Sequence, residues 1–283
     1  MLLVTGATGT VGRPLIDLLT VAGIDVRAVT RDPQAAGLSG RVEVIVGDPS
    51  RPGTVAAALE GVTAVLLNPR AVGAAAGELV TLAGRRGARR VVALSALNVD
   101  FDLDRQPSRL RGEYNKEAEA AAVESGLEWV ALRSGSYAVN AIGTWAAQIR
   151  AGDVVHGAYP QASWAPLHER DLAAVAAQAL LTDELLGTRP VLTGPRSLTQ
   201  PEMIAAIGDA IGRPLRFQLA APARAKQAMI AAGLPEALAG GFLAMQAESF
   251  GQHNLVSGEV ERILGRPGLS FAQWAAEHAA AFT

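Results

Sequence analysis

The chain has 283 residues, 49% of them hydrophobic and 18% charged, which is enough to bury a full core as one large or two modest domains. Its formal net charge of −2 gives no global basic field, so nucleic acid is not an expected partner. The absence of cysteine excludes disulfides, thiolate metal sites and cysteine nucleophiles, and fits a cytoplasmic protein. We expect no signal peptide, membrane span or metal site, because the apolar stretches are short and the histidines are scattered.

The first strand and the glycines after it form the clearest pattern. An apolar strand is predicted over Leu2–Thr5 and an amphipathic helix over Val11–Val21, and three glycines at a spacing of three join them. A strand, a glycine turn and a helix form the phosphate-binding start of a dinucleotide fold, in which free N–H groups of the first helical turn face the pyrophosphate. The residues expected to bind the cofactor here are Gly6, Thr8, Gly9, Thr10, Val11 and Gly12.

The next part of the chain continues the alternation of strand and helix. Further strands are predicted at Ile24–Thr30, Val42–Val46, Ala64–Leu67, Arg90–Leu94 and Trp129–Leu132. Helices are predicted at Gly53–Leu59, Gly73–Arg86 and Arg109–Glu124. The strands are mostly continuous apolar runs without polar alternation, which is typical of parallel strands covered on both faces. The predicted fold class is therefore α/β, with a Rossmann-type doubly wound parallel sheet of at least six strands.

Beyond Arg133 the pattern loosens and becomes mainly helical. Short strands are predicted at Val154–His156, Ser163–Ala165 and Arg189–Leu192, and helices at Tyr137–Arg150, Arg170–Leu181, Gln200–Ile211, Ala223–Ala232, Glu236–Ser249, Gly258–Leu264 and Phe271–Ala280. We expect an NADP-binding Rossmann domain over residues 1–135, with elements returning from about 164–195. Residues 136–163 and 196–283 are expected to form a smaller, mainly helical C-terminal domain that covers the substrate.

The residues after the second and third strands bear on the choice of cofactor. Arg31 stands where NAD sites usually carry an acidic residue for the ribose 2′-hydroxyl, and a guanidinium there can grip a 2′-phosphate. Asp32 follows at once, yet the pattern favours NADP(H) over NAD(H). Arg13 is either a second phosphate partner or a solvated helix residue. Asp48 either contacts the adenine amino group or caps a turn, and the sequence leaves both open.

Several further segments follow one another in a specific order. Val-Thr-Gly-Ala-Thr-Gly-Thr-Val-Gly-Arg-Pro at 4–14 precedes Val-Arg-Ala-Val-Thr-Arg-Asp-Pro at 26–33 and Ala-Arg-Arg-Val-Val-Ala-Leu-Ser at 88–95. Later come Ser-Gly-Leu-Glu-Trp at 125–129, Ser-Gly-Ser-Tyr-Ala-Val-Asn at 134–140, Arg-Asp-Leu-Ala-Ala-Val-Ala at 170–176 and Leu-Thr-Gly-Pro at 192–195. Together they resemble the NmrA-like group of atypical short-chain dehydrogenase/reductases over nearly the whole chain. The resemblance implies a quinone or dye reductase, an isoflavone-type reductase, or an NADP-binding regulator with little activity.

The chain departs from ordinary short-chain dehydrogenases at their catalytic pair. Those enzymes use Tyr-x-x-x-Lys, in which the lysine lowers the pKa of the tyrosine that protonates the substrate's carbonyl oxygen. None of the tyrosines (Tyr114, Tyr137 and Tyr159) has a lysine four residues on. When the chain is aligned with that family on Glu119 and on the Ser-Gly-Leu segment at 125–127, the two positions of the pair fall on Arg111 and Asn115.

Other polar residues near the strand ends could take part in the chemistry. The candidate catalytic residues are Tyr137, Asn115 and Lys116, and on a helix Lys116 points about 100° away from Asn115. Arg70 either steers an anionic substrate or the pyrophosphate, or is solvated, and the loop 101–109 either covers the site or is plain surface. Further cofactor contacts are expected from Leu67, Asn68, Ser95 and Ser134.

The missing pair also indicates the kind of acceptor. An isolated alkoxide needs a proton at once, whereas a conjugated acceptor spreads the incoming electrons over its own π system. The sequence thus predicts an NADPH-dependent oxidoreductase that transfers a hydride to a quinone-like, enone or aromatic small molecule. The alternative is an NADP(H)-binding, redox-sensing regulator with little or no catalytic activity. No membrane partner is expected, and a homodimer is compatible with the sequence.

Overall fold

The computed structural model describes residues 1–34, 36–38, 42–103 and 106–283. The chain folds as two compact units. The first unit comprises Met1–Ser134 and Glu169–Leu192, and the second comprises Gly135–His168 and Thr193–Thr283. Within the described ranges, no helix is long and apolar enough to cross a membrane, and no group of three or more His, Asp or Glu side chains could hold a metal ion.

The regular elements alternate along the first half of the chain and are mainly helical afterwards. The strands are β1 (Leu2–Val4), β2 (Val26–Thr30), β3 (Val42–Val46), β4 (Ala64–Leu67), β5 (Arg90–Ala96), β6 (Glu128–Ser134), β7 (Val154–Gly157), β8 (Ser163–Trp164), β9 (Val191–Leu192), β10 (Leu198–Thr199) and β11 (Arg216–Leu219). The helices are α1 (Gly12–Val21), α2 (Pro69–Val72), α3 (Ala76–Arg85), α4 (Asn115–Val123), α5 (Asn140–Ala151), α6 (Glu169–Leu181), α7 (Gln200–Ile211), α8 (Pro222–Ala231), α9 (Glu236–Glu248), α10 (Glu259–Leu264) and α11 (Phe271–Glu277).

The first unit is built on a parallel sheet, as predicted. In the part of the chain that the structure describes, it has seven strands in the order β3-β2-β1-β4-β5-β6-β9, and every neighbouring pair is parallel. Alternate strand residues such as Leu3, Val65 and Val91 share a core with α3 and α4, while α1 packs against α6. The strand order reverses beside β1, and in open parallel sheets ligands bind outside the carboxyl ends of the strands at such a point.

The helices predicted before and after β4 differ from those observed. Instead of one helix over Gly53–Leu59, the chain forms two 3₁₀ turns, Pro52–Val55 and Ala57–Leu59. The predicted helix Gly73–Arg86 begins instead as a 3₁₀ turn, Gly73–Ala75, before α3, and a short helix that was not predicted, α2, precedes that turn. Helix α2 starts early because Asn68 caps it and Pro69 occupies its first position, where the missing N–H costs nothing.

The predicted helix Arg109–Glu124 is also broken. A 3₁₀ turn over Pro107–Arg111 ends at Gly112, whose φ of 77° is left-handed, and α4 begins only at Asn115. The positions aligned with the Tyr-x-x-x-Lys pair, Arg111 and Asn115, therefore do not share a helix. The predicted covering loop 101–109 falls partly on residues 104 and 105, which lie outside the described residues.

The second unit has a separate apolar core. Helices α5, α7 and α11 contribute Trp145, Ile204, Ile207 and Trp274 to it. Two small sheets accompany these helices: β7 pairs with β11 in parallel, and β8 pairs with β10 in antiparallel fashion. Strands β10 and β11 were not predicted, because two and four residues with little buried surface leave no alternation to detect.

Candidate cofactor and active site

The glycine turn after β1 fits a dinucleotide phosphate. Gly6 has a φ of 66°, and a Cβ added there would lie 2.7 Å from Nδ2 of Asn68. A Cβ on Gly12 would overlap the carbonyl oxygen of Gly6. The main-chain amides of Thr10, Val11 and Gly12 make no hydrogen bond within the described ranges. Glycines thus keep the turn tight at the start of α1 and leave amide groups for an anion, which is the arrangement a pyrophosphate requires.

Polar groups at the ends of β1 and β4 hold the two strand ends together. The Thr5 hydroxyl donates to the carbonyl of Leu66 at 2.7 Å and accepts from the amide of Asn68 at 2.8 Å. Oδ1 of Asn68 accepts from the amides of Arg70 at 3.0 Å and Ala71 at 3.3 Å. Asn68 therefore acts as a helix cap beside the glycine turn. Leu67 is fully buried as a whole residue, so its contact with a cofactor stays a prediction.

A cleft of about 300 Å³ opens at this edge of the first unit. Two arginines, Arg31 after β2 and Arg70 in α2, line it, and both are exposed. Their guanidinium groups make the cleft suited to an anionic ligand. The complete lining is Gly6, Thr8, Val29, Thr30, Arg31, Asp32, Asp48, Pro49, Ser50, Arg70 and Ala71.

Asp48 also lines the cleft, but its carboxylate is occupied by its own loop. Oδ1 accepts from the Ser50 hydroxyl at 2.7 Å and from the Ser50 amide at 3.0 Å, while Oδ2 lies 3.1 Å from the Arg51 guanidinium. The Ser50 hydroxyl is the main reason that the pKa of Asp48 lies below its usual value. The structure thus shows the turn-capping role of Asp48, and an adenine contact stays a prediction.

Arg13 takes a role that neither sequence alternative anticipated. Its guanidinium donates to the main-chain carbonyls of Ala36 at 2.9 Å and Gly37 at 3.2 Å. It therefore ties the first turn of α1 to the segment that follows β2 and Arg31. Arg13 is neither a solvated helix residue nor aimed at the cleft in this arrangement.

The carboxyl ends of β5 and β6 hold a buried charged network instead of free donors. Ser95 is 2% exposed and donates to Oε2 of Glu119 at 2.5 Å, and Oε1 of Glu119 accepts from Arg133 at 2.6 Å and Arg189 at 3.0 Å. The Ser134 hydroxyl donates to the carbonyl of Ser95 at 2.9 Å. Burial favours a higher pKa for Glu119, but the hydrogen bonds from Arg133 and Ser95 outweigh it and lower the pKa.

This network bears on two predicted cofactor contacts. The hydroxyls of Ser95 and Ser134 both donate within the protein, so neither has a free proton for a cofactor in this arrangement. Glu119, which organises the network, was not predicted as a site residue. Its partners come from β5, β6 and the approach to β9, so no spacing in the sequence indicates them.

The candidate catalytic residues fall in different units. Asn115 is the first residue of α4, is 5% exposed and donates to the Ser108 hydroxyl at 3.1 Å. Lys116 beside it is exposed. Tyr137 belongs to the second unit, where it is partly buried and its main chain bridges to Leu167. Asn115 and Lys116 adjoin at the start of α4 in the first unit, and a catalytic role for any of the three residues stays a prediction.

One further carboxyl near α4 was missed by the sequence prediction. Glu113 is partly buried, and its side chain makes no hydrogen bond or ion pair within the described residues. Burial raises the pKa of Glu113, and the opposing charges of Arg111 and Arg70 do not cancel that rise. The sequence feature that could have drawn attention to Glu113 is its position midway between Arg111 and Asn115.

Comparison with known proteins agrees with the dinucleotide site that the geometry indicates. A family model described as NAD(P)H-binding matches residues 6–183. The (4-alkanoyl-5-oxo-2,5-dihydrofuran-3-yl)methyl phosphate reductase of Streptomyces griseus is 35% identical over 285 residues, covering 100% of this chain and 99% of that protein. The NAD(P)H azoreductase of Xenophilus azovorans is 33% identical over 289 residues, covering 100% and 99%. The structure of an NADPH-dependent quinone oxidoreductase from Escherichia coli, complexed with NADPH, gives a TM-score of 0.80 at 25% identity over 98% of this chain and 99% of that chain.

The parallel sheet, the glycine turn and the arginine-lined cleft at the switch point define a dinucleotide-binding protein of the Rossmann type. Within that class, the chain belongs to the NAD(P)H-binding family of NmrA-like atypical short-chain dehydrogenase/reductases, as the sequence motifs implied. It is an NAD(P)H-dependent oxidoreductase.

Proposed function

We propose that this protein is an NADP(H)-dependent reductase of a conjugated small molecule, such as a quinone, an enone or an azo compound. The observation that carries the proposal is an intact dinucleotide turn in a chain without a Tyr-x-x-x-Lys pair. Such a protein can bind the hydride donor but lacks the usual acid for an alkoxide. A conjugated acceptor needs that acid least, because its own π system carries the added charge.

The residues of the cleft support a cofactor with a 2′-phosphate. The amides of Thr10, Val11 and Gly12 would hold the pyrophosphate, and Arg31 would hold the 2′-phosphate through charge-assisted hydrogen bonds. Asp32 beside Arg31 already has partners within the protein. When bound, the nicotinamide ring supplies the hydride.

The names of the relatives support the acceptor class. An azoreductase and a quinone oxidoreductase act on extended π systems, and a 4-alkanoyl-5-oxo-2,5-dihydrofuran contains a C=C bond conjugated with two carbonyl groups. These acceptors share a conjugated system with a heteroatom that collects negative charge. Candidate donors to that heteroatom are Asn115, Lys116 and Tyr137. A cytoplasmic setting is part of the proposal and is supported by the cysteine-free sequence.

The test is NADPH consumption, followed by nicotinamide absorbance, against a quinone, an azo dye, an enone and an unconjugated ketone. We expect turnover of the conjugated acceptors to exceed that of the ketone by about 10²–10⁴-fold, the usual contribution of general acid catalysis. Efficient reduction of the ketone would contradict the proposal. If no acceptor is reduced while calorimetry detects NADPH binding, the regulator alternative replaces it.

A further inference from the structure

Arg70 carries a guanidinium group that bonds to no other part of the described chain. The residue is exposed, and it lines the cleft at the carboxyl edge of the sheet. Within the described ranges, no carbonyl or carboxylate accepts a hydrogen bond from this guanidinium, and no carboxylate forms a salt bridge with it. Its charge acts on the partly buried Glu113 without direct pairing. Arg70 therefore presents an unpaired positive charge to an anion that enters the cleft.

The backbone of Arg70 is held close to the glycine turn by the side chain of Asn68. Oδ1 of Asn68 accepts from the Arg70 amide at 3.0 Å, and Pro69 between them occupies the first position of α2. The same side chain lies so close to Gly6 that a Cβ added there would be 2.7 Å from its Nδ2. Arg70 thus stands two residues beyond a side chain that packs directly on the turn.

The strand order places Arg70 and Arg31 on opposite sides of that turn. Strand β1 pairs with β2 on one side and with β4 on the other. Neighbouring strands lie about 4.8 Å apart, so the ends of β2 and β4 are separated by about 10 Å, with the turn between them. Arg31 follows β2, and Arg70 lies just beyond β4. An anion on the turn is therefore accessible to Arg70 from the β4 side, while Arg31 stands beside a group beyond β2.

The turn alone does not neutralise a pyrophosphate. Each of the two phosphates carries a negative charge, whereas the free amides of the turn are neutral donors. Arg13 at the start of α1 already donates to the carbonyls of Ala36 and Gly37. The cations in the cleft lining are Arg31 and Arg70. With Arg31 assigned to the 2′-phosphate, Arg70 is the cation of the lining that remains for the pyrophosphate.

We propose that Arg70 binds the pyrophosphate of the dinucleotide, together with the free amides of the glycine turn. This inference rests on the proposed function, which assigns the pyrophosphate to the turn and the 2′-phosphate to Arg31. The Arg70 guanidinium donates charge-assisted hydrogen bonds to phosphate oxygens. The two arginines then have separate tasks. Arg70 binds the part that NADH and NADPH share, and Arg31 binds the phosphate that only NADPH carries.

Calorimetry with both cofactors tests this division. Arg70→Ala should weaken NADH and NADPH binding by the same factor, about ten- to a hundredfold, because a charge-assisted contact to a shared group is lost. Arg31→Ala should weaken NADPH alone. Arg70→Lys should recover part of both affinities, since lysine keeps the charge but loses the planar fork. Arg85→Ala, which removes an exposed arginine outside the cleft lining, is the matched control and should change neither affinity.

Two cofactor fragments separate the phosphates further. ADP-ribose contains the pyrophosphate without a 2′-phosphate, and adenosine 2′-monophosphate contains the 2′-phosphate without a pyrophosphate. In competition against NADPH, followed by its fluorescence, Arg70→Ala should weaken ADP-ribose and leave adenosine 2′-monophosphate unchanged. Arg31→Ala should do the reverse.

The outcomes distinguish this inference from the reductase proposal, because binding is measured without turnover. If Arg70→Ala weakens NADPH but not NADH, Arg70 serves the 2′-phosphate and the inference is wrong. Unchanged affinity for both cofactors overturns it as well, whether or not the KM for an anionic acceptor rises. If the predicted binding pattern is found but the wild type reduces no acceptor, the inference stands and the reductase proposal fails.

Thermal unfolding checks that the variants are folded. Arg70→Ala should unfold at the wild-type temperature, because the exposed side chain makes no hydrogen bond to the described residues and the Asn68 cap binds only the backbone of residue 70. If Arg70→Ala is less stable, Arg70→Lys and the fragment competition with the wild type at rising salt decide. Salt should weaken ADP-ribose binding to the wild type more than to Arg70→Lys if the planar fork binds the phosphates closely. Equal salt dependence and equal affinity of the two proteins would overturn the inference.

Discussion

Two parts of one sheet edge in the first unit are built on different principles. At β1 and β2, the glycine turn and the cleft offer backbone amides, missing side chains and exposed guanidinium groups. At β5 and β6, the polar groups are buried and bonded to one another through Glu119. The first part is arranged to receive an anion, and the second is arranged to hold strands and a helix together. The comparison indicates that polar residues at a strand end need not face a ligand.

Removing the central carboxylate of the buried network should have the largest effect. Glu119→Gln removes the buried charge that Arg133 and Arg189 share, although Arg133 keeps its pair with the exposed Asp100. It should destabilise the fold by about 3 kcal/mol, the low end for breaking a buried ion pair. Urea unfolding at neutral pH measures this. The control is Glu43→Gln, whose half-exposed pair with Arg27 should be worth less than about 1 kcal/mol.

The same variant predicts a pH dependence. Because the folded-state pKa of Glu119 is lowered, its contribution is present above the ordinary glutamate value and is lost as the pH falls through the lowered value. The gap between wild type and Glu119→Gln should therefore close in acid. A gap that stays constant down to low pH would mean that the network does not stabilise the ionised carboxylate.

A methyl group in the glycine turn should have the next largest effect. In Gly12→Ala the new Cβ overlaps the carbonyl of Gly6, so the turn must move, at a cost of about 3 kcal/mol, and the amides lose their alignment for phosphate. The variant should unfold at a lower temperature, and calorimetry should show weaker dinucleotide binding. Gly77→Ala is the matched control, since a Cβ there meets nothing within 4 Å. Equal effects of the two substitutions would remove the steric argument for the turn.

A substitution of Arg31 tests whether the cleft at β1 and β2 recognises the charge of the cofactor's 2′-phosphate. Arg31→Ala should weaken NADPH binding by about 1.5–3 kcal/mol, or roughly ten- to a hundredfold, because a charge-assisted contact to the 2′-phosphate is lost. NADH binding should hardly change. Arg85→Ala, an exposed arginine at the end of α3 outside the cleft lining, should leave both affinities unaltered. A wild type that binds NADH as tightly as NADPH would contradict the assignment.

The sequence predicted the glycine turn and the strands around it better than the buried network around Glu119, for a physical reason. Strands β3 and β4 were predicted to the residue, and the glycine turn was recognised, because a strand core and a tight turn are determined by adjacent residues. The break at Gly112 was missed, since helix-favouring residues on both sides mask a single left-handed position. The network around Ser95 could not be predicted either, because Glu119 lies 24 residues from Ser95 and Arg189 lies 70 residues from Glu119.

The smallest effect is expected at Arg13, whose hydrogen bonds connect α1 to the segment that follows Arg31. Arg13→Met removes two hydrogen bonds to the carbonyls of Ala36 and Gly37, so the segment after Arg31 loses its tie to α1. NADPH affinity should fall by about 1 kcal/mol, or about fivefold, with little change for NADH. If Arg13 acts on NADPH only through Arg31, by holding the segment that follows it, the double variant Arg13→Met, Arg31→Ala should bind NADPH no more weakly than Arg31→Ala alone. If Arg13 binds the phosphate itself, the two losses should add, and the first of the two sequence alternatives would be right after all.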